Sequence, residues 1–61
     1  MPIVRVEMIA GRSEEQKQKL AELLTKAMVE AAGAKAEDVF VVFKDVARHD
    51  WAVAGTLVSR R

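Results

Sequence analysis

The stretch SEEQKQKLAELLTKAMVEAAG, residues 13–33, decides the fold, because it carries both the start and the stop signals of one helix. Ser13 is a suitable helix N-cap, and Gln16, three residues later, completes a capping box. The two glutamates that follow Ser13 lie in the first turn, where the helix dipole favours negative charge. Gly33 stands where a left-handed C-terminal cap is expected. The sequence therefore predicts one helix between Ser13 and Gly33.

The apolar residues of this segment recur at the spacing of one helical face, which predicts a stripe that packs in the core. They are Leu20, Leu23, Leu24, Ala27, Met28 and Ala31. The opposite side carries glutamate and lysine and is expected to be solvated.

Two apolar segments flank the helix and have the character of strands. Pro2–Ile9 alternates apolar and charged residues with a period of two, whereas Val39–Val46 is almost continuously apolar up to Lys44. A strand, a helix and a strand in this order form a right-handed crossover with parallel strands. The helix covers one face of that sheet, and the chain has nothing left to cover the other. We therefore expect the second face to pack on another subunit.

The last residues are less regular. Arg48–Asp50 has the composition of a loop, Trp51–Gly55 that of a short strand and turn, and Thr56–Val58 that of another short strand. A hairpin this short is not stable alone, so it is expected to add strands to a neighbouring subunit's sheet. The fold class is α+β, a β-α-β unit with a short C-terminal hairpin and with sheets completed by oligomerisation.

Length and composition exclude several classes of protein. A chain of 61 residues buries only roughly 60% of its unfolded surface, and without cysteine no disulfide can support it. There is no cluster of zinc ligands. The net charge is +1 with acids and bases interspersed, which argues against nucleic-acid binding. No apolar run is long enough for a membrane span, and a cytoplasmic location is expected.

The amino terminus, MPIV, admits two interpretations. Proline donates no backbone hydrogen bond and is tolerated at the first residue of a strand, so Pro2 can be purely structural. If Met1 is removed, however, Pro2 carries a free secondary amine. The pKa of an α-amino group lies slightly above neutrality, and burial or a nearby cation lowers it. Such an amine can act as a general base at physiological pH.

Three features together resemble the 4-oxalocrotonate tautomerase family of the tautomerase superfamily. They are Pro2, the GRSEEQK junction at residues 11–17 and the AVAG tail at residues 52–55. The resemblance covers residues 1–61 as a single tautomerase-like domain. It implies a β-α-β fold, a homo-oligomer that is a hexamer built as a trimer of dimers, and an amino-terminal proline that is the catalytic base.

The resemblance also implies the site residues. Arg12, in the Gly-Arg turn, matches an arginine that binds a substrate carboxylate, for which a guanidinium is suited by its two parallel bonds. It would also lower the pKa of the Pro2 amine. Trp51 matches an aromatic residue that walls the pocket, and Ile9 matches a position whose backbone N–H can contact substrate. His49, the one histidine, is interpreted as a solvated loop residue and is left out of the site.

One position departs from the family pattern. Well-known members carry a second arginine in the second strand, where this sequence has Phe40, which cannot bind a carboxylate. Either the substrate has a single carboxylate or another cation substitutes. The candidates by charge are Arg5, Lys44, Arg48 and His49. The departure also allows assembly with a second, different chain.

These observations support a small oligomeric isomerase that acts on an enolic or dienolic 2-oxo acid. Pro2 moves the proton, Arg12 holds the carboxylate, and Phe40 with Trp51 forms a dry wall. No metal or cofactor is expected, because an amine and a guanidinium supply both base and electrophile. Two alternatives remain at this stage. The same site could hydrate or dehalogenate unsaturated acids with a protonated Pro2, or the chain could be a non-catalytic small-ligand-binding oligomer that retains Met1.

Overall fold

A computed structural model describes residues 1–61 and gives a β-α-β unit followed by a small hairpin. Strand β1 spans Ile3–Ile9, helix α1 spans Glu14–Ala32 and strand β2 spans Phe40–Val46. Strands β3 (Ala52–Val53) and β4 (Thr56–Leu57) form the hairpin. The predicted α+β fold class is confirmed. Each of the two long strands begins one residue later than the sequence pattern indicated.

Helix α1 begins and ends where the sequence predicts. The Ser13 Oγ accepts a hydrogen bond from the Gln16 backbone N–H at 3.1 Å, and the Gln16 Oε1 accepts one from the Ser13 N–H at 2.9 Å. At the other end Gly33 adopts φ 70°, a left-handed conformation, and its N–H donates to the Met28 carbonyl. Local capping chemistry therefore fixes the length of the helix, which is not apolar enough to cross a membrane.

The two long strands pair in parallel, with Ile3 opposite Phe40 and Ile9 opposite Val46. Backbone bonds close the sheet at both ends, because the Phe40 N–H donates to the Pro2 carbonyl at 3.0 Å and the Ala10 N–H donates to the Val46 carbonyl at 2.9 Å. Alternate residues of a parallel strand bond to the neighbouring strand. The odd-numbered residues of β1, Ile9 among them, therefore direct their backbone groups to the edge that has no partner strand.

The predicted helical stripe is correct only in part. Leu20, Leu24 and Met28 are half-buried, but Leu23 is 53% exposed, and Ala27 and Ala31 are exposed as well. The exposed three form a flank of the helix that projects beyond the two-stranded sheet. A sheet of two strands is too narrow to cover the whole apolar arc of a helix, so this flank is left without a neighbour in the single chain.

The sheet face away from α1 is also uncovered, as the sequence predicted. Ile3 is 55% exposed, Phe40 47% and Val42 45%. No residue of the chain is fully buried. The accessible surface is 4815 Å², against about 3,950 Å² expected for a compact 6.8 kDa monomer. The radius of gyration is 14.4 Å, where a compact chain of this length gives about 10.5 Å. The single chain is therefore more extended and more exposed than a compact monomer of its length.

The hairpin is held by very few bonds. Ala52 pairs with Leu57 and Val53 with Thr56, across a two-residue turn in which Ala54 has φ 53° and Gly55 φ 83°. Positive φ at both central residues is the type I′ arrangement that suits antiparallel strands, and it is unfavourable for alanine. Before the hairpin, Arg48–Asp50 forms a single 3₁₀ turn rather than the irregular loop that the sequence indicated. His49 is exposed in that turn, as expected, with its Nε2 3.5 Å from the Asp50 Oδ2.

Replacing Ser13 with alanine tests the capping box. The substitution removes the acceptor of the Gln16 N–H and should cost about 1 kcal/mol, which lowers the Tm by about 4–8 °C in a domain of this size. Thermal unfolding at one fixed protein concentration measures the change, because assembly makes Tm concentration-dependent. Ser59→Ala, which removes an exposed hydroxyl, is the control. Equal Tm values for the two variants would contradict the assigned role of the cap.

A charge placed on the uncovered sheet face tests self-association. Val42→Lys sets an ammonium between Arg5 and Lys44 on that face, and burial of an unpaired charge in an interface is costly. Sedimentation velocity should show an oligomer for the parent chain and smaller species for the variant. Glu22→Lys, on the solvated side of α1, should leave the oligomer unchanged. A parent chain that sediments as a monomer at micromolar concentration would show that the uncovered face needs no partner.

Candidate active site

Pro2 and Phe40 lie together at one end of the sheet. Pro2 immediately precedes β1 and is half-buried, and its carbonyl accepts the N–H of Phe40. A groove of about 450 Å³ opens beside Pro2, between it and the C-terminal end of α1. Its walls include Met28, Ala32 and Lys35. Since proline donates nothing to the sheet, the Pro2 nitrogen has no structural role in the β1–β2 ladder.

Arg12 and Ile9 lie at the opposite end of the sheet. The chain leaves β1 after Ile9, and the Arg12 Nη1 donates to the Ile9 carbonyl at 3.2 Å. Arg12 is exposed and borders a second groove of about 300 Å³, whose charged and apolar walls include Lys19 and Leu23. Because alternate residues of β1 bond to β2, the Ile9 N–H points to the edge of β1 that has no partner strand. It therefore remains available as a donor.

Trp51 belongs to the same end as Arg12. It is half-buried after the Arg48–Asp50 turn and borders a recess of about 340 Å³ together with Glu7 and Val46. Val46 is opposite Ile9 in the sheet register, which places Trp51 near the C-terminal ends of both long strands.

The residues proposed for the site thus form two separate groups within one chain. Pro2 and Phe40 occupy the end where β1 and β2 begin, and Ile9, Arg12 and Trp51 occupy the end where they finish. Ile3 and Ile9 are six residues apart, which corresponds to about 20 Å of strand at about 3.3 Å per residue. A single chain therefore cannot bring Pro2 and Arg12 to one small molecule. Any pocket that contains both must be built from more than one copy.

An ion pair anchors the turn that carries Arg12. The Lys17 Nζ lies 2.7 Å from the Asp45 Oδ2, with side chains that are 26% and 40% exposed. Lys17 is in the first turns of α1 and Asp45 near the end of β2, so the pair ties the start of the helix to the sheet. Together with the Ala10–Val46 backbone bond, it fixes both ends of the segment that contains Gly11 and Arg12.

The cations considered as substitutes for a strand arginine lie away from Pro2. Arg5 and Lys44 border a small recess with Glu7 and Val42 on the uncovered sheet face. The Arg48 Nη2 donates to the Val58 carbonyl at 3.4 Å. Lys35, which the sequence reasoning did not consider, borders the Pro2 groove. No group of three histidine, aspartate or glutamate side chains is gathered closely enough to hold a metal ion.

Comparisons with known proteins identify the family of the chain. A family model described as "Tautomerase enzyme" matches residues 2–61. The chain is 46% identical over 55 residues to a 2-hydroxymuconate tautomerase of Comamonas testosteroni, covering 90% of this chain and 87% of the relative. The structure is similar to one of the 4-oxalocrotonate tautomerase isozymes of Methylibium petroleiphilum, with a TM-score of 0.91 and 40% identity over 95% of this chain and 94% of the other.

A further similar structure is a heterohexameric 4-oxalocrotonate tautomerase of Chloroflexus aurantiacus. It has a TM-score of 0.92 and 32% identity, covering 97% of this chain and 95% of the other. The similarity therefore extends to a relative whose assembly contains more than one kind of chain.

A double-mutant cycle tests the Lys17–Asp45 pair. Lys17→Met, Asp45→Asn and the double variant should give a coupling free energy of unfolding of about 0.5–1 kcal/mol, because both partners are partly screened from water. Urea unfolding of the four proteins measures it. The control is the Lys26–Glu30 pair on the same helix, whose atoms are 4.0 Å apart and whose side chains are 70% and 65% exposed. Coupling no larger than in that control would show that the pair does not anchor the turn.

Proposed function

This chain belongs to the tautomerase family, and on that premise we propose that Pro2, freed by removal of Met1, is the general base of the reaction. The chain is a tautomerase enzyme. In the proposed reaction the Pro2 nitrogen accepts a proton from the enol oxygen, or from an adjacent carbon, and returns it to another carbon of the same substrate. The product is the keto or conjugated isomer, and no atom is gained or lost.

The proposed substrate class is an enolic or dienolic 2-oxo acid. Support comes from the relatives named 2-hydroxymuconate tautomerase, which are 46% and 41% identical to this chain. The Arg12 guanidinium supplies a charge-assisted bond to a substrate carboxylate. The proposed chemistry involves neither metal nor cofactor, because the amine and the guanidinium supply the base and the charge stabilisation.

The observation that carries this proposal is the position of Pro2. Pro2 borders a groove, its nitrogen has no hydrogen to donate to the sheet, and its carbonyl accepts the Phe40 N–H at 3.0 Å. Removal of Met1 therefore exposes an amine without breaking any backbone bond of β1. In the proposed assembly another copy covers Ile3 and Phe40 and removes water from this end of the sheet, and desolvation lowers the pKa of an amine.

The proposed pocket is shared between copies of the chain. Pro2 and Phe40 of one copy meet Arg12, Ile9 and Trp51 of another, which requires the two strand pairs to run in opposite directions. Trp51 and Phe40 then exclude water, which strengthens the attraction between Arg12 and the substrate, and the Ile9 N–H can donate to a substrate oxygen. A homohexamer built as a trimer of dimers is the proposed assembly, and the heterohexameric relative makes a second kind of chain a specific alternative.

Pro2→Ala tests the base directly. The variant should retain the fold and the oligomer but lose most proton transfer, about 10²-fold or more, which is the usual contribution of a positioned general base. The assay follows the ultraviolet absorbance of 2-hydroxymuconate and of a panel of enolic mono- and diacids as they ketonise. Intact mass must first show that Met1 is absent from both proteins.

Two outcomes would sink the proposal. One is a Met1-free Pro2→Ala variant that tautomerises as fast as the parent. The other is a mature protein, made in its native host, whose mass still includes methionine, since the Pro2 nitrogen is then an amide and accepts no proton.

A further inference from the structure

The groove beside Pro2 is bordered by Met1, which the proposed maturation removes, and by one cationic side chain of the same chain, that of Lys35. After Gly33 ends the helix, the chain passes through Ala34 and Lys35 into a 3₁₀ turn at Ala36–Asp38 and then enters β2. This short connection brings Lys35 to the groove that Pro2 borders. Pro2 and Lys35 are distant in sequence, but both border one groove of about 450 Å³.

Lys35 is also unengaged. It is exposed and forms no ion pair and no side-chain hydrogen bond, which is also true of Lys19 and Lys44, but of these three lysines only Lys35 borders the Pro2 groove. The other charged side chain that borders the groove is that of Asp38, which is half-buried. Asp38 fixes the turn through its backbone, since its N–H donates to the Lys35 carbonyl at 2.9 Å. The Lys35 ammonium therefore remains free to meet a ligand in the groove.

We propose that Lys35 is a catalytic residue that binds the substrate's 2-oxygen and stabilises the negative charge that develops there as Pro2 moves the proton. The inference rests on the proposed function of Pro2. An ammonium that shares a groove with the base lies near the reacting atoms, while Arg12 of another copy holds the carboxylate. Lys35 thereby supplies, from the helix side of the sheet, a positive charge that Phe40, on the opposite face of the sheet, cannot supply.

The chemistry of the groove fits this assignment. A lysine ammonium is a compact charge on a flexible stem, so it can follow a single oxygen without the paired geometry that a carboxylate and a guanidinium demand. Charge stabilisation that strengthens in the transition state raises kcat rather than affinity. Asp38 in the same groove repels a second carboxylate, which favours a substrate that presents only one oxygen anion to this end of the pocket.

Lys35→Met is the decisive variant, with Lys35→Arg and Lys26→Met as matched controls. Lys26 is a surface lysine of α1 that does not border the Pro2 groove. With 2-hydroxymuconate and with the enol of a phenyl-substituted 2-oxo acid, Lys35→Met should lower kcat by about a hundredfold, the lower end of the range for the loss of a positioned donor. KM should change little, Lys35→Arg should recover part of kcat, and Lys26→Met should behave like the parent.

The outcomes separate this inference from the proposed function. An unchanged kcat in Lys35→Met, in a parent whose activity depends on Pro2, overturns the role of Lys35 alone. A rise in KM with kcat unchanged also overturns it, because Lys35 would then bind ground state and transition state equally. If the Met1-free parent is inactive on both substrates, the proposed function fails.

An NMR titration of the Pro2 nitrogen then tests whether the Lys35 ammonium lies close enough to affect the Pro2 amine. Lys35 and Asp38 are the titratable groups of this chain that border the groove, and loss of the cation should raise the pKa of the Pro2 amine. Lys35→Met with an unchanged Pro2 titration would mean that the ammonium does not act on this site.

Discussion

The structure depends on one constraint: a single helix lies over only two strands, and two strands cannot enclose a core. The helix shields one face of the sheet and leaves the other open, and its own flank at Leu23 extends past the sheet. No side chain is fully buried as a result. Burial of apolar surface is the main favourable term in folding, so contacts between chains are expected to add to what the single chain buries. Folding, assembly and formation of the site are then a single physical problem.

The parts of the fold that the sequence predicted well are those with local causes. The capping box at Ser13, the left-handed cap at Gly33 and the period-two alternation of β1 each depend on residues a few positions apart. The parallel orientation of the two long strands followed from the order strand, helix, strand. The burial of the apolar stripe of α1 was predicted less well, because the sequence of a helix does not determine how many strands lie beneath it. Leu23 has the spacing of a core residue and lies where only another chain can cover it.

The candidate site was harder to predict for a related reason. Pro2 and Arg12 were both identified from the residues and the resemblance. The structure then showed that β1 places them at opposite ends of the sheet. Lys35 escaped the reasoning altogether. It lies in a short connection of small residues with no motif of its own, and its nearness to Pro2 depends on how the end of α1 meets the start of β1. No motif or residue spacing in the sequence predicts that Lys35 lies near Pro2.

The separation of Pro2 from Arg12 by the length of a strand permits a division of labour. In the proposed assembly each chain offers a base at one end and an anion-binding group at the other, and these two groups belong to two different pockets. A chain encoded by a duplicated gene can therefore lose its base or its anion-binding group and still contribute to an active pocket, provided that the neighbouring chains keep the group that it has lost. Substrate preference can then drift in one copy while the chemistry is preserved in its neighbour.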